Sequence, residues 1–210
     1  MKLLLENWRK YLNENESPPV IGHLVGQAGS GKTYFINNTL LKKYPEITAK
    51  DLDDFDDEAD AVVAGGKGDK SWRRDLSNID QELARKHFDE VQSLVNQFIS
   101  ENSDKKIFLV GMSVFPWVQG NNELDIGNPE LKVYLNIDPK VSAKRRIDRD
   151  VKKGLYGDQK PTQEEWEGEL KWAAEEKAQL LSAGYEPASP EEIVKAVDGV
   201  MQGEQNETPS

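Results

Sequence analysis

A chain of 210 residues with 31% charged and 37% apolar side chains is long enough for one α/β domain with a sizeable core and short for two. Its 38 acidic and 27 basic residues give a net charge of −11, which repels nucleic-acid phosphate and argues against a long DNA or RNA track while leaving a short nucleotide possible. The absence of cysteine excludes disulfides and thiolate metal sites and fits a reducing cytoplasm, and two histidines add little metal-binding capacity.

The opening "MKLLLENWRKYLNE" places Leu4, Trp8, Tyr11 and Leu12 at helical spacing, which predicts an amphipathic helix over residues 1–16 that docks on the body of the protein. Its run of three leucines is too short for a secretory segment or a membrane span, so a cytoplasmic protein with no membrane partner is expected. Ser17, Pro18 and Pro19 break the helix. Residues 20–26 read as a buried strand, and Gly31 onward as a helix with Phe35, Ile36, Thr39 and Leu40 on its inner side, closed by Pro45. Residues 46–53 form a second predicted strand that runs into the acidic cluster "DLDDFDDEAD", and the glycine-rich, basic "VVAGGKGDKSWRRD" is expected to be a mobile loop.

A long helix is predicted from Ser77, with Ile79, Leu83, Val91, Leu94, Val95 and Phe98 in register, and the apolar run 106–112 reads as a central strand. Residues 113–130 lack periodicity and are too long for a simple connection, so a functional loop is expected, with Trp117 or Gln119 against an acceptor pocket. Another strand spans 131–137, after which Asp138 caps and Pro139 opens a helix, followed by a flap at "KGLYGDQKP". Thr162 to Glu165 is a capping box that starts a helix with Trp166, Leu170, Ala173 and Leu180 on one face. Ser189, Pro190 and Glu192 start the last helix, with Ile193, Val197 and Val200 inward, and the tail 203–210 is expected to be disordered. Alternating strands and helices predict a parallel, three-layer sheet in one domain over 20–202.

Gly26-Gln27-Ala28-Gly29-Ser30-Gly31-Lys32-Thr33 satisfies G-x-x-x-x-G-K-[ST] at each fixed position, between a predicted strand and a predicted helix. Glycines allow backbone angles that turn successive N–H groups inward, and a helix N-terminus adds partial positive charge, so the segment is expected to grip a phosphate chain. Lys32 is expected to reach the β- and γ-phosphates of ATP, and the Thr33 hydroxyl to ligate Mg²⁺. A glycine-rich turn that only caps a helix is the alternative.

Transfer to a hydroxyl needs a carboxylate across from the γ-phosphate to take the proton. Asp51 and Asp53 fall at the predicted end of the second strand, where alternate residues share a face, so both are placed toward the cleft. A solvated acidic turn is the plainer account of the cluster, and a calcium loop fails because Phe55 and Asp56 stand where a ligand and a glycine are needed. In element order over roughly residues 20 to 200, the chain resembles the small P-loop kinases: shikimate and gluconate kinases, nucleotide kinases, polynucleotide 5′-kinases and zeta-type toxins. The resemblance implies an α/β, three-layer P-loop NTPase fold with a parallel central sheet and a small helical lid at about 145–162. "DLD" resembles the D-x-D of shikimate kinases, implying Asp51 at the metal and Asp53 at the substrate hydroxyl. "DDF" resembles the D-D-[YF] of polynucleotide kinases, which also puts the base at Asp53, with Asp54 beside the substrate.

"VYLNIDPKVSAKRRIDRD" is similar to the strand and lid helix of the same kinases, which implies Arg146 on the nucleotide and Arg149 as the catalytic arginine that closes on the transferring phosphoryl. A solvent-facing helix laced through Asp148 and Asp150 stands as the alternative, and Lys144 and Arg145 are expected in solvent. Trp72, Arg73 and Arg74 lie where these kinases place substrate-binding residues, implying a stacking ring and a bidentate clamp; helix-start charges and a core Trp are the alternative. "KIFLVGMS" lacks the acid that ordinarily closes such a strand, so Asp51, or Thr33 with phosphate alone, would hold the metal. That gap disfavours a motor-type ATPase, and the lack of N-K-x-D disfavours a GTPase. The expected activity is ATP- and Mg²⁺-dependent transfer to a small-molecule or short nucleotide acceptor, foremost a nucleoside, nucleotide or nucleic-acid 5′ end. A non-catalytic nucleotide-binding regulatory or assembly protein and a zeta-toxin-like kinase of a sugar nucleotide are the alternatives. The N-terminal segment resembles those of phage-encoded proteins, which implies a viral origin; oligomeric state has no signal in the sequence.

Overall fold

Val20–Val25 (β1) is buried along its whole length, as a strand covered on both faces must be, and its continuous apolar run is the reason. The computed structural model describes residues 20–63, 79–154 and 162–203. The expected N-terminal helix, the loop carrying Trp72, Arg73 and Arg74, the flap residues 155–161 and the tail from 204 lie outside the described residues. Ile47–Asp51 (β2), Lys106–Val110 (β3), Leu131–Leu135 (β4) and Glu186–Ala188 (β5) complete a five-stranded sheet in the order β2-β3-β1-β4-β5. All of its pairings are parallel.

The first helix, α1, is composite: Lys32–Phe35 is α-helical, Ile36–Leu40 is a π-helical turn and Leu41–Lys43 closes it. The remaining helices are Leu52–Val63 (α2), Gln81–Glu101 (α3), Pro139–Lys152 (α4), Gln163–Ser182 (α5) and Pro190–Gly203 (α6). Several starts follow local chemistry. Asp80 caps α3 by accepting from Glu82 and Leu83 N–H, Asp138 caps α4 ahead of Pro139, and Thr162 with Glu165 forms the expected capping box of α5.

Strand alternation sends neighbouring β3 residues to opposite cores. Ile107 and Leu109 join Leu52, Phe55 and Ala59 of α2 and Ala84, Phe88, Val91 and Val95 of α3. Phe108 and Val110 join Phe35, Ile36 and Leu40 of α1 and Ile193 and Val197 of α6. Helices therefore cover both faces, giving three layers, and each fully buried aliphatic or Phe side chain contributes about 1.5–3 kcal/mol.

Four sequence expectations are corrected here. The second strand ends at Asp51 rather than 53, because Asp51 accepts the Asp53 N–H at 3.2 Å and starts α2 at once, so the acidic cluster is helical and not a turn. Thr39 is exposed rather than inward, on the π-helical turn that departs from the assumed 3.6-residue spacing. The loop 113–130 is chiefly a core element: Phe115, Val118, Leu124 and Ile126 are buried over the α2–α3 side of the sheet. The short edge strand β5 has no counterpart in the sequence reading, since three residues with a central Pro187 show no period; an edge position tolerates the missing N–H.

Gly22 leaves room for the Phe108 ring, whose nearest atom would stand 2.4 Å from an added Cβ. Gly22→Ala is expected to cost about 1–3 kcal/mol of unfolding free energy by overpacking. Gly168→Ala, on an open face of α5 with nothing within 4 Å, is expected to stabilise by a few tenths to about 1 kcal/mol. Urea denaturation of the two variants checks both signs.

Candidate functional site

The loop from β1 to α1 depends on glycine at particular points. Gly29 (φ 84°) and Gly31 (φ 94°) lie in the left-handed region, and a Cβ on Gly29 would stand 2.6 Å from the Ser142 carbonyl of α4. Gln27 is buried and anchors the loop on the other helix of this wall, its amide donating to the Ala173 carbonyl of α5 at 2.7 Å. The loop is thus held from behind by α4 and α5 while its open side faces a cleft of about 840 Å³. Gly26, Ala28, Gly29, Ser30, Gly31, Lys32 and Thr33 all line that cleft. The first N–H groups of α1 have no acceptor one turn back, so they remain available to an anion.

The ammonium of Lys32 donates to the Gly26 carbonyl at 2.7 Å and, more weakly, to Gln27 at 3.5 Å. Across from it, Thr33 Oγ1 donates to Asp51 Oδ2 at 3.2 Å. Asp53 lines the same cleft from the first turn of α2, two residues beyond the end of the strand. Both carboxylates lie over Gly111, at the C-terminal end of β3. A Cβ there would be 2.9 Å from Asp51 Oδ1 and 3.3 Å from Asp53 Oδ1, and its φ of 106° excludes other residues without strain. Burial raises the Asp53 carboxyl above its ordinary value, the neighbouring Asp51 charge adds to this, and Lys32 partly offsets it.

Gly111 is itself fixed from below. His23 of β1 is fully buried; its Nε2 lies 2.9 Å from the Gly111 carbonyl and its Nδ1 2.7 Å from the Tyr185 hydroxyl. A carbonyl only accepts, so Nε2 carries the proton and Tyr185 donates to Nδ1. Burial lowers the His23 pKa to about 4, which keeps this ring neutral.

Placement of the remaining sequence candidates is mixed. Arg149 lines the cleft, with its Nε 3.1 Å from Asp150. Arg146 points away, into an ion pair with Glu169 at 3.0 Å and against the Trp172 ring at 4.9 Å. Arg145 is exposed, as expected, but also lines the cleft and lies 3.4 Å from the Ser30 carbonyl, because the glycine loop packs on α4 at that turn. Asp54 faces Lys50 at 3.0 Å, on a different side of α2 from Asp53. Trp117 packs edge-on against Phe115, and the Gln119 backbone is bound by Gln81 and Arg85, so neither lines the cleft.

Trp172, Glu176 and Leu180, spaced by four along α5, also line the cleft, as do Tyr34 and Met112. The sequence reading passed over Trp172 and Glu176. Their i, i+4 spacing was visible, but nothing in it tells a polar cleft wall from a solvated helix face.

No protein-family model matches this chain and no curated protein matches it.

The buried neutral His23 carries a pH signature. Its pKa falls from the ordinary 6.5 to about 4, so the unfolded chain binds the extra proton first on acidification. Its contribution to stability is therefore full above about 6.5 and is lost as pH falls toward 4, by roughly 3 kcal/mol at most. Unfolding midpoints of the wild type and His23→Gln between those limits are expected to converge on acidification, since the variant lacks this titration.

Proposed function

We propose that the chain is a phosphotransferase of the P-loop kinase class that moves the γ-phosphoryl of ATP to a hydroxyl or phosphate of a small acceptor. A nucleoside, a nucleotide or a nucleic-acid 5′ end is the favoured acceptor. The observation that carries this is the convergence, in one cleft, of the glycine loop, Lys32, Thr33 and Asp51 in contact, and a second carboxylate at Asp53. A passive nucleotide binder needs the loop and the lysine; it has no use for a second carboxylate held above its ordinary pKa beside them.

The residues fit the groups this chemistry requires. Loop amides and Lys32 offer donors to a phosphate chain, and Lys32 needs only to leave the Gly26 carbonyl to do so. The Thr33 hydroxyl and the Asp51 carboxylate, 3.2 Å apart, are hard oxygen donors suited to Mg²⁺. Asp51 would then stand in for the acid missing from the end of β3, reaching across from β2 over the bare Gly111. When bound, Mg²⁺ neutralises phosphate charge and fixes the chain. Asp53 accepts the acceptor's hydroxyl proton, for which burial has made it a stronger base than a solvated carboxylate. Arg149 stabilises the charge spread on the transferring group, with Arg145, rather than Arg146, as the second lid cation.

Asp53→Asn is expected to lower transfer by ~10²–10⁴-fold with ATP affinity nearly unchanged, and Lys32→Ala to weaken binding itself. Labelled ATP offered with nucleosides, nucleotides, oligonucleotides and metabolites, read beside calorimetric ATP binding, checks both. Binding with no labelled product from any acceptor rejects the phosphotransferase in favour of a nucleotide-binding regulatory protein. Because the base must be ionised, the rate in an active screen is expected to fall on acidification, beginning above the ordinary carboxylate range.

A further inference from the structure

Glu176 is the carboxylate that this chemistry does not use. It lines the same cleft as Lys32 from the wall formed by α5, and its Oε2 is shut off from solvent with no hydrogen-bond partner. Buried polar atoms are ordinarily satisfied, so an orphaned oxygen on a carboxylate that lines a cleft calls for a reason. Among the described residues no cation closes on it. Lys32 is held by the Gly26 carbonyl, and Arg146 is committed to Glu169 at 3.0 Å. The helix that carries it cannot easily swing away, because Gln27 clamps the Ala173 carbonyl, three residues earlier, at 2.7 Å.

The charges around it are mixed. Lys32 on α1 and Arg146 on α4 favour its ionised form, and Arg145 and Arg149 face the same cleft from α4. Tyr134 on β4, pushed up to about 12 mainly by burial and then by Glu176 itself, stays neutral, and Asp51 and Asp53 line the same cleft from β2 and α2. On α5 itself, Glu169 is paired with Arg146, Glu175 lies beside Lys171 at 3.9 Å, and Lys177 donates to Asn136 at 3.0 Å. Burial outweighs the cations and holds the Glu176 carboxyl above its ordinary range.

We infer that Glu176 is a charge-selecting residue of this cleft: its carboxylate opposes an entering polyphosphate, which seats only with uptake of a proton there. This rests on the proposal that the glycine loop takes a phosphate chain, and it adds that the cleft discriminates by charge. Lys32 attracts the chain, Glu176 opposes any excess negative charge, and affinity depends on how much of that excess is neutralised.

Inorganic triphosphate without divalent cation isolates the effect from base and metal contacts. Calorimetry on the full chain near pH 8 is expected to show Glu176→Gln binding it at least about fivefold tighter than the wild type, with the gap narrowing as the pH is lowered. Repeating the wild-type titration in buffers of different ionisation enthalpy is expected to show net proton uptake in excess of that of the variant; Glu175→Gln, at an exposed neighbour, should match the wild type. Proton uptake by the unaltered chain tests the inference even if the variant folds poorly. Equal or weaker binding by Glu176→Gln near pH 8, proton uptake that the variant retains, or no triphosphate binding by either chain overturns it. A tighter variant in a protein that transfers phosphate to no acceptor would leave Glu176 as inferred and reject the phosphotransferase, whereas transfer without the gain in affinity would do the reverse.

Discussion

Two carboxylates share the C-terminal edge of the sheet with a lysine only because Gly111 has no side chain. A Cβ there would stand 2.9 Å from Asp51 and 3.3 Å from Asp53, so either both acids or a larger residue can occupy that edge, but not both. His23 fixes the Gly111 carbonyl from inside the sheet, and Tyr185 fixes His23, which ties β1, β3 and the segment before β5 to one point beneath the cleft. The buried ring is held neutral, so this anchor brings no charge close under the cleft.

Above that edge the cleft is assembled from separate parts of the chain, each held by a local contact. Asp51 serves the end of β2, the start of α2 and Thr33 at once, accepting from the Asp53 N–H and from the Thr33 hydroxyl. The glycine loop is gripped between α4 at Ser142 and α5 at Ala173. Because the same two helices bring Arg145, Arg149 and Glu176 to the cleft, any movement of that wall would change both the attractive and the repulsive charge around the loop. Such coupling suits a site meant to close on an anion and release it, as the proposed transfer requires.

Local chemistry made much of this legible. The G-x-x-x-x-G-K-[ST] spacing, the Asp138–Pro139 helix start and the Thr162–Glu165 capping box each concern residues within a few positions of one another, and their local geometry is as expected. Asp53 reaches the cleft as expected but by another route, since a helical first turn rather than strand alternation carries it there. Arg145 and Arg146 show the limit. Adjacent on one helix, they differ by about 100° in direction, and only the packing of the loop on α4 decides which of them faces the cleft.

The sequence alone determined the alternation of strand and helix, the parallel sheet and the glycine turn of the Gly26–Thr33 segment, because these follow from periodicity and from backbone freedom at fixed glycines. Tertiary structure decided which carboxylates and cations share the cleft, that the loop 113–130 serves the core, and that Glu176 faces Lys32's side of the cleft unpaired. The physical reason is distance along the chain. Asp51, Gly111, Arg145 and Glu176 are far apart in sequence, and no local rule of spacing records that the β2-β3-β1-β4 order brings their elements around one loop.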